Sequence, residues 1–209
     1  SQLLCERLGV SFDVFPIQSL LDEYVSVIPS LSFSDPGLPE ENLQARIRGN
    51  ILMCLSNQYN ALVLSTGNKS ELAMGFCTLY GDTNGALSVL GDVYKSEVYL
   101  LGHVLNSVLD NAIPDTIFSK PPSAELKPNQ CDEDRLPPYD VLDPILKLYL
   151  EKKASLSVIL KAGFDEMVVS SVIDTVVKNE YKRFQSPPIL KVSPYVFGSG
   201  RRMPVVGSF

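Results

Sequence analysis

Ala61-Leu62-Val63-Leu64-Ser65, continued by Thr66-Gly67-Asn68-Lys69-Ser70-Glu71, is the stretch on which the fold turns. A short, almost wholly apolar run containing the β-branched Val63 reads as a buried parallel strand. The chain then changes character at once, which places a polar loop at the strand's carboxyl end, the edge of an open α/β sheet where ligands bind. In that loop Thr66 offers a hydroxyl, Gly67 allows close backbone approach, and Glu71 is suited to Mg2+ or a ribose hydroxyl. Asn68 with Glu71 three residues later also has the spacing of a capping box, which needs no ligand. Spacing leaves both readings standing.

Upstream, Glu40 to Ser56 reads as a long helix, with Leu43, Ile47, Ile51 and Leu55 on one face and Asn42, Arg46 and Asn50 along an adjacent one. Asn42 and Arg46 lie one turn apart, placed either to grip an anionic or amide-bearing ligand or simply to meet solvent. Before it come a Ser- and Pro-rich link (Pro29, Pro36, Pro39), a helix from Ser19 to Val27, a strand-like alternation from Ser11 to Ile17, and a helix end closed by Gly9. Strand, helices and strand in that order make a βαβ pattern.

Downstream, Leu72 to Phe76 reads as a helical turn, Gly81 to Gly85 as a turn, and Asp92 as the cap of a helix from Val93 to Leu109 with Val98, Leu101, Val104, Leu105 and Val108 turned inward. Lys95 falls in that helix's first turn, where an anion is preferred, a position that makes more sense beside a phosphate. Asn111 to Pro138 is a long proline-rich loop with the acidic triplet Asp132-Glu133-Asp134, of a length that is usually functional or mobile. Helices from Asp143 to Glu151, Leu156 to Lys161 and Phe164 to Lys178 follow, and the chain from Gln185 reads as an extended tail. The Lys182-Arg183 and Arg201-Arg202 pairs are open between solvated and phosphate-directed roles.

Composition narrows the classes. The 209 residues are 45% hydrophobic and 20% charged, which excludes disorder for the bulk and gives one domain with appendages. A net charge of -6 has the wrong sign for binding along a nucleic acid. With no 20-residue apolar span and with Glu6 and Arg7 near the start, the chain reads as soluble and cytoplasmic, with no membrane partner. Cys5, Cys54, Cys77 and Cys131 are too widely spaced for a zinc or redox pair and read as free thiols. The single histidine, His103, sits in an apolar helical stretch and reads as structural.

Longer blocks carry a resemblance. STGNKSELAMGFCTLYGDTNGALSVLGDVYKSEVYLLG (65–102), EENLQARIRGN (40–50), KPPSAELKPNQCDEDRLPPYDVLD (120–143), EYKRFQSPP (180–188) and FGSGRRMPVVGSF (197–209) resemble the synthetase domain of the glutamine-dependent NAD synthetases. That resemblance implies an α/β fold, a doubly wound parallel sheet of the ATP-pyrophosphatase (adenine nucleotide alpha-hydrolase-like) type, with residues 1–184 as the synthetase domain and 185–209 as a C-terminal tail. It implies adenylation of the nicotinate carboxylate of deamido-NAD by ATP with Mg2+, release of pyrophosphate, and displacement of AMP by ammonia. By the same resemblance Thr66, Lys95 and Ser123 are ATP contacts, Asn42, Arg46, Glu71 and Lys182 are deamido-NAD contacts, and Glu71 is also the metal candidate. Fixed cations and Mg2+ suit transition states that build charge on phosphate and carboxylate oxygens.

The 209 residues also depart from the family. Its phosphate loop, SGGxDS after the first strand, is not among them, nor is the glutaminase domain with its cysteine nucleophile, so the first strand and phosphate loop are lacking from this stretch of the fold. The resemblance therefore implies the C-terminal portion of a larger ligase, fed with ammonia from a domain outside this chain, inactive alone and homo-oligomeric. The alternatives are a catalytically inactive nucleotide-binding or assembly module, and a sister amidotransferase acting on another carboxylate or carbonyl.

Overall fold

The computed structural model describes residues 1–28 and 37–205. Residues 29–36 of the Ser/Pro-rich link, with Pro29 and Pro36, fall outside the described residues, and so do the last four residues of the tail.

Helix α1 (Gln2–Leu8) ends as expected at Gly9, whose φ of 65° lets its N–H turn back to the Glu6 carbonyl. The expected strand at Ser11 to Ile17 does not form: a strand needs a partner ladder, and among the described residues these have none. They run irregularly, with Val14 72% exposed. After α2 (Gln18–Val27), helix α3 (Leu38–Tyr59) extends beyond both expected ends. Its N-terminus carries Pro39, Glu40 and Glu41, all suited to a first turn.

β1 (Leu64–Ser65) pairs in parallel with β2 (Leu87–Ser88), a strand the sequence reading did not contain. Ser88 also donates to the Pro188 carbonyl and accepts from the Leu190 amide, so the tail passes Ser88 as a third parallel path. The parallel sense holds, but only Ser65 of β1 is buried; Leu62 and Leu64 are exposed, since β1 has no strand on its other side among the described residues.

The core lies where short helices cross. α4 (Lys69–Met74) packs on α7 (Tyr139–Leu146) and α9 (Glu166–Lys178), and Leu142, Ile145, Leu146, Ile159, Val169, Val172 and Val176 are fully buried there. In chain order α5 (Lys95–Val108) and α6 (Asp115–Ser119) come between α4 and α7, and α8 (Leu156–Lys161) and α10 (Glu180–Phe184) pack on α9. α6 and a 3-10 turn at Asp132–Asp134 occupy parts of the expected long loop.

Three expectations need correction. α5 begins at Lys95 with Tyr94 as its cap, because Asp92 is turned to the Lys69 ammonium and to the amides of Val192 and Ser193. The α5 side chains expected inside are largely outside, Val104 at 62% and Val108 at 74% exposed, since its last two turns are packed through another face, His103 against Phe118 of α6 and Asn106 bonded to the Ile113 backbone. The helix expected from Asp143 starts at Tyr139, with Pro144 inside it, and widens to a π-helix at Lys147–Glu151. The tail is extended as expected but not loose: Val196 and Phe197 are buried.

Candidate functional site

Beyond the carboxyl end of β1 opens a cavity of about 840 Å3, walled by α3, the 66–84 segment, the start of α5, the 123–135 segment, and Tyr181 and Lys182 of α10. Close packing of α3 shapes it. A Cβ on Gly49 would lie 2.7 Å from the Tyr80 carbonyl oxygen, and one on Gly81 would lie 2.9 Å from Ala45, so larger residues at either position would push helix and turn apart. All seven residues singled out in the sequence, Asn42, Arg46, Thr66, Glu71, Lys95, Ser123 and Lys182, line this one cavity.

Glu71 is engaged twice. Asn68 accepts from the Glu71 amide and donates its own amide to Glu71 Oε2, both at 3.0 Å, so the capping box forms. Glu71 Oε1 meets Lys95 Nζ at 3.2 Å, with both side chains mostly buried. Burial pushes the Glu71 carboxyl above its ordinary range and Asp132 adds to the rise, while Lys95 and the Asn68 amide pull against it. The cap and the cavity reading are therefore compatible: one oxygen holds the helix and the other faces the lysine.

Lys95 is tied at both ends. Its amide donates to Ser70 Oγ at 3.0 Å, and its ammonium lies 5.6 Å from the centre of the Tyr139 ring. Lys182 directs its ammonium to the Gly75 and Cys77 carbonyls at 2.7 and 2.8 Å, leaving one of three donors for a ligand. Asn42 Oδ1 accepts from the Thr78 hydroxyl at 2.8 Å, and Arg46 Nε donates to the Leu79 carbonyl. That leaves the Asn42 amide group and the Arg46 terminal nitrogens at the cavity wall. Ser123 Oγ accepts from the Glu125 amide. Arg183, open between solvated and phosphate-directed roles in the sequence, has neither: it is buried, bonded to Glu180 and to the carbonyls of Leu72 and Ala73 at the end of α4.

Sequence reading missed several residues here. Asp132, buried on the cavity wall, accepts from the Tyr139 hydroxyl at 2.8 Å through Oδ2, while its Oδ1 has no partner in the structure. The acidic triplet and the following Pro-Pro-Tyr were its only signal. Asp82 accepts from the Thr78 amide, and burial raises its carboxyl. Lys69, fully buried, bridges Asp92 (2.9 Å), Glu151 (3.1 Å) and the Ser193 hydroxyl (3.0 Å), which binds the tail to the root of α4. All four cysteines carry free thiols, and burial pushes that of Cys77 up to about 12. His103 stacks on Phe118 at 4.1 Å and is not part of the cavity wall. No group of three or more His, Cys, Asp or Glu is arranged for a metal among the described residues.

Fold and site together define an α/β protein with a charged cavity at the carboxyl end of a parallel strand. A family model described as NAD synthase matches residues 1–186, and the chain belongs to that family. It is 49% identical over 207 residues to the glutamine-dependent NAD(+) synthetase of Synechocystis sp. and 46% identical over 211 residues to that of Thermotoga maritima, covering 99% and 100% of this chain. It spans 37% of the length of each of these relatives. Among solved structures, the glutamine-dependent NAD+ synthetase from Acinetobacter baumannii in complex with ADP is 40% identical over 98% of this chain and 36% of its own, with a TM-score of 0.55. The glutamine-dependent NAD(+) synthetase from Cytophaga hutchinsonii reaches a TM-score of 0.81 at 22% identity, over 99% of this chain and 36% of its own, a likeness of fold.

Proposed function

We propose that this chain is the C-terminal synthetase portion of a glutamine-dependent NAD synthetase, in which the cavity holds ATP and deamido-NAD. The observation that carries this reading is the convergence of seven residues, chosen from four separate sequence blocks, on one cavity. The ADP in the Acinetobacter baumannii relative supports a nucleotide site.

In this reading the nicotinate carboxylate attacks the α-phosphorus of ATP and pyrophosphate leaves; ammonia then attacks the acyl carbon and AMP leaves. Lys95, Thr66 and Ser123 hold the ATP phosphates, with the Lys95 ammonium offsetting charge on their oxygens. Asn42 and Arg46 hold deamido-NAD from α3, and the free donor of Lys182 holds it from the opposite wall. Glu71, in contact with the Lys95 ammonium, orients that lysine and gives a metal ion or a ligand hydroxyl an acceptor. Mg2+ would be held by Glu71 and the partnerless Oδ1 of Asp132, with further ligands from phosphate oxygens and water, a donor set that fits this ion. Bound there it would neutralise charge on the phosphates.

Residues 1–184 form the synthetase unit and the tail from 185 locks onto it through Lys69 and Asp92. Ammonia comes from a glutaminase domain outside these residues. The open apolar faces of α5 and β1 are covered by a second copy in a homo-oligomer or by the rest of the polypeptide. No described helix is long and apolar enough to cross a membrane. In this reading the reaction takes place in the cytoplasm. The test is NAD formation from deamido-NAD, ATP, Mg2+ and ammonium by the full reading frame, against none by the 209-residue chain alone. A full-frame protein that consumes no ATP with deamido-NAD would overturn the reading.

A further inference from the structure

Lys95 can serve the proposed reaction only if its ammonium is held in one place, and its stem begins at the first turn of a helix, a region prone to fraying. Behind it stands α7. Asp143 of α7, 1% exposed, accepts from the Ser70 hydroxyl at 2.5 Å and from the Ser96 amide at 2.8 Å, one bond per oxygen. The Lys95 amide in turn donates to the same Ser70 hydroxyl. One buried carboxylate thus joins the residue before Glu71 to the residue after Lys95, and sets the two helix starts that bring Glu71 and Lys95 to 3.2 Å. Four residues earlier on the same face of α7, Tyr139 lies under the Lys95 ammonium and donates its hydroxyl to Asp132.

We propose that α7 is the positioning element for Lys95, Asp143 fixing its backbone and Tyr139 its ammonium, so that both residues act on the reaction only through that lysine. This rests on the reading of Lys95 as a phosphate contact. The chemistry of Asp143 favours a positioning role over plain packing. Both of its hydrogen-bond partners are neutral, and a buried carboxylate held by neutral donors alone is a costly way to fill space that an apolar side chain would fill better. It is instead suited to the amide-rich start of the 14-residue α5.

The test separates positioning from general loosening. In the 209-residue chain, reaction of each lysine with an acylating reagent is followed by mass spectrometry in the wild type and in Asp143→Asn, whose single acceptor oxygen can serve the Ser96 amide or the Ser70 hydroxyl but not both. The expected result is a several-fold rise in labelling of Lys95, while fully buried Lys69 stays inert. No change at Lys95, or a parallel rise at Lys69, overturns the proposal. Tyr139→Leu, which leaves the buried carboxylate alone, gives the same reading should Asp143→Asn not fold. In the full-frame enzyme, Asp143→Asn lowers kcat/KM for ATP about tenfold or more in the wild-type background and not at all in Lys95→Ala. Losses that multiply in the double variant overturn it. If the wild type forms no NAD, the amidation reading fails, and the labelling still decides the role of α7.

Discussion

Two regions of the chain are built to opposite standards. Around α4, α7 and α9 the apolar side chains are sealed, eight of them with no exposure at all, and even a lysine is buried with two acids and a hydroxyl around it. Along α1, the 11–17 segment, the outer edge of β1 and the last turns of α5, Val14, Leu62, Val104 and Val108 are each more than 60% exposed. The cavity lies at the seam between the two. Its rigid acid and base groups are rooted on the sealed side, and α3 supplies Asn42 and Arg46 from the other. The difference indicates that the sealed side supplies stability and preorganised charge, whereas the open side is the surface that the proposed assembly would cover.

The sharpest way to break this contrast is at its charged centre. Lys69→Met leaves Asp92 and Glu151 without their cation in a dry site, so it should lower stability by about 3 kcal/mol in denaturant unfolding and release the tail to proteolysis after Tyr195. A loss below about 1 kcal/mol would show that the tail clasp is incidental.

A pair of substitutions then compares the two sides directly. Leu142→Ala should cost about 3 kcal/mol through its cavity. Val104→Glu should leave the unfolding free energy of the monomer within about 0.5 kcal/mol of wild type and shift the chain, by light scattering, from a dimer or larger species toward a 23.0 kDa monomer. A wild-type chain that is already a well-behaved monomer at micromolar concentration would contradict the partner surface.

A smaller effect is set by pH. Burial would raise the Asp92 carboxyl, yet Lys69, the Val192 and Ser193 amides and the Ser193 hydroxyl together hold it below its ordinary value. A group with a depressed folded pKa adds stability above its unfolded value of about 4, and that stability is lost as pH falls through the lower folded value. Asp92→Asn should therefore be less stable than wild type at neutral pH, with the gap closing under acid conditions; an unchanged gap would remove Asp92 from the clasp. Glu71 has the opposite sign: its raised carboxyl takes a proton before an ordinary glutamate does, so the acid limb of kcat/KM should lie above the usual carboxylate range.

The contrast also explains what the sequence made legible. Helices with strong apolar spacing and clear ends, such as α1 with Gly9, α2, α8 and α9, stand close to where periodicity put them, because their signals are local. The 11–17 alternation and the inward face of α5 carry strand-like and amphipathic patterns, but those patterns state only that a face is apolar, and what covers it is a long-range fact. Asp92 misled for a related reason. An Asp before a helix is an ordinary cap, and nothing local says that a lysine 23 positions back and two amides 100 positions on compete for it. The site residues were legible as blocks and types. Their convergence was not, nor were Asp143 and Asp132, whose meaning depends on contacts across 73 and 7 residues respectively.

The claim that this seam is an active site turns most directly on Glu71, where an observed helix cap and a proposed ligand group coincide. In the full-frame enzyme, NAD formation from deamido-NAD, ATP and ammonium should fall by more than about 10²-fold in Glu71→Ala. A melting temperature only a few degrees below wild type, as loss of one cap residue allows, would place that fall in chemistry rather than folding. Near-normal turnover in the same variant would contradict the account and leave Glu71 as a cap alone.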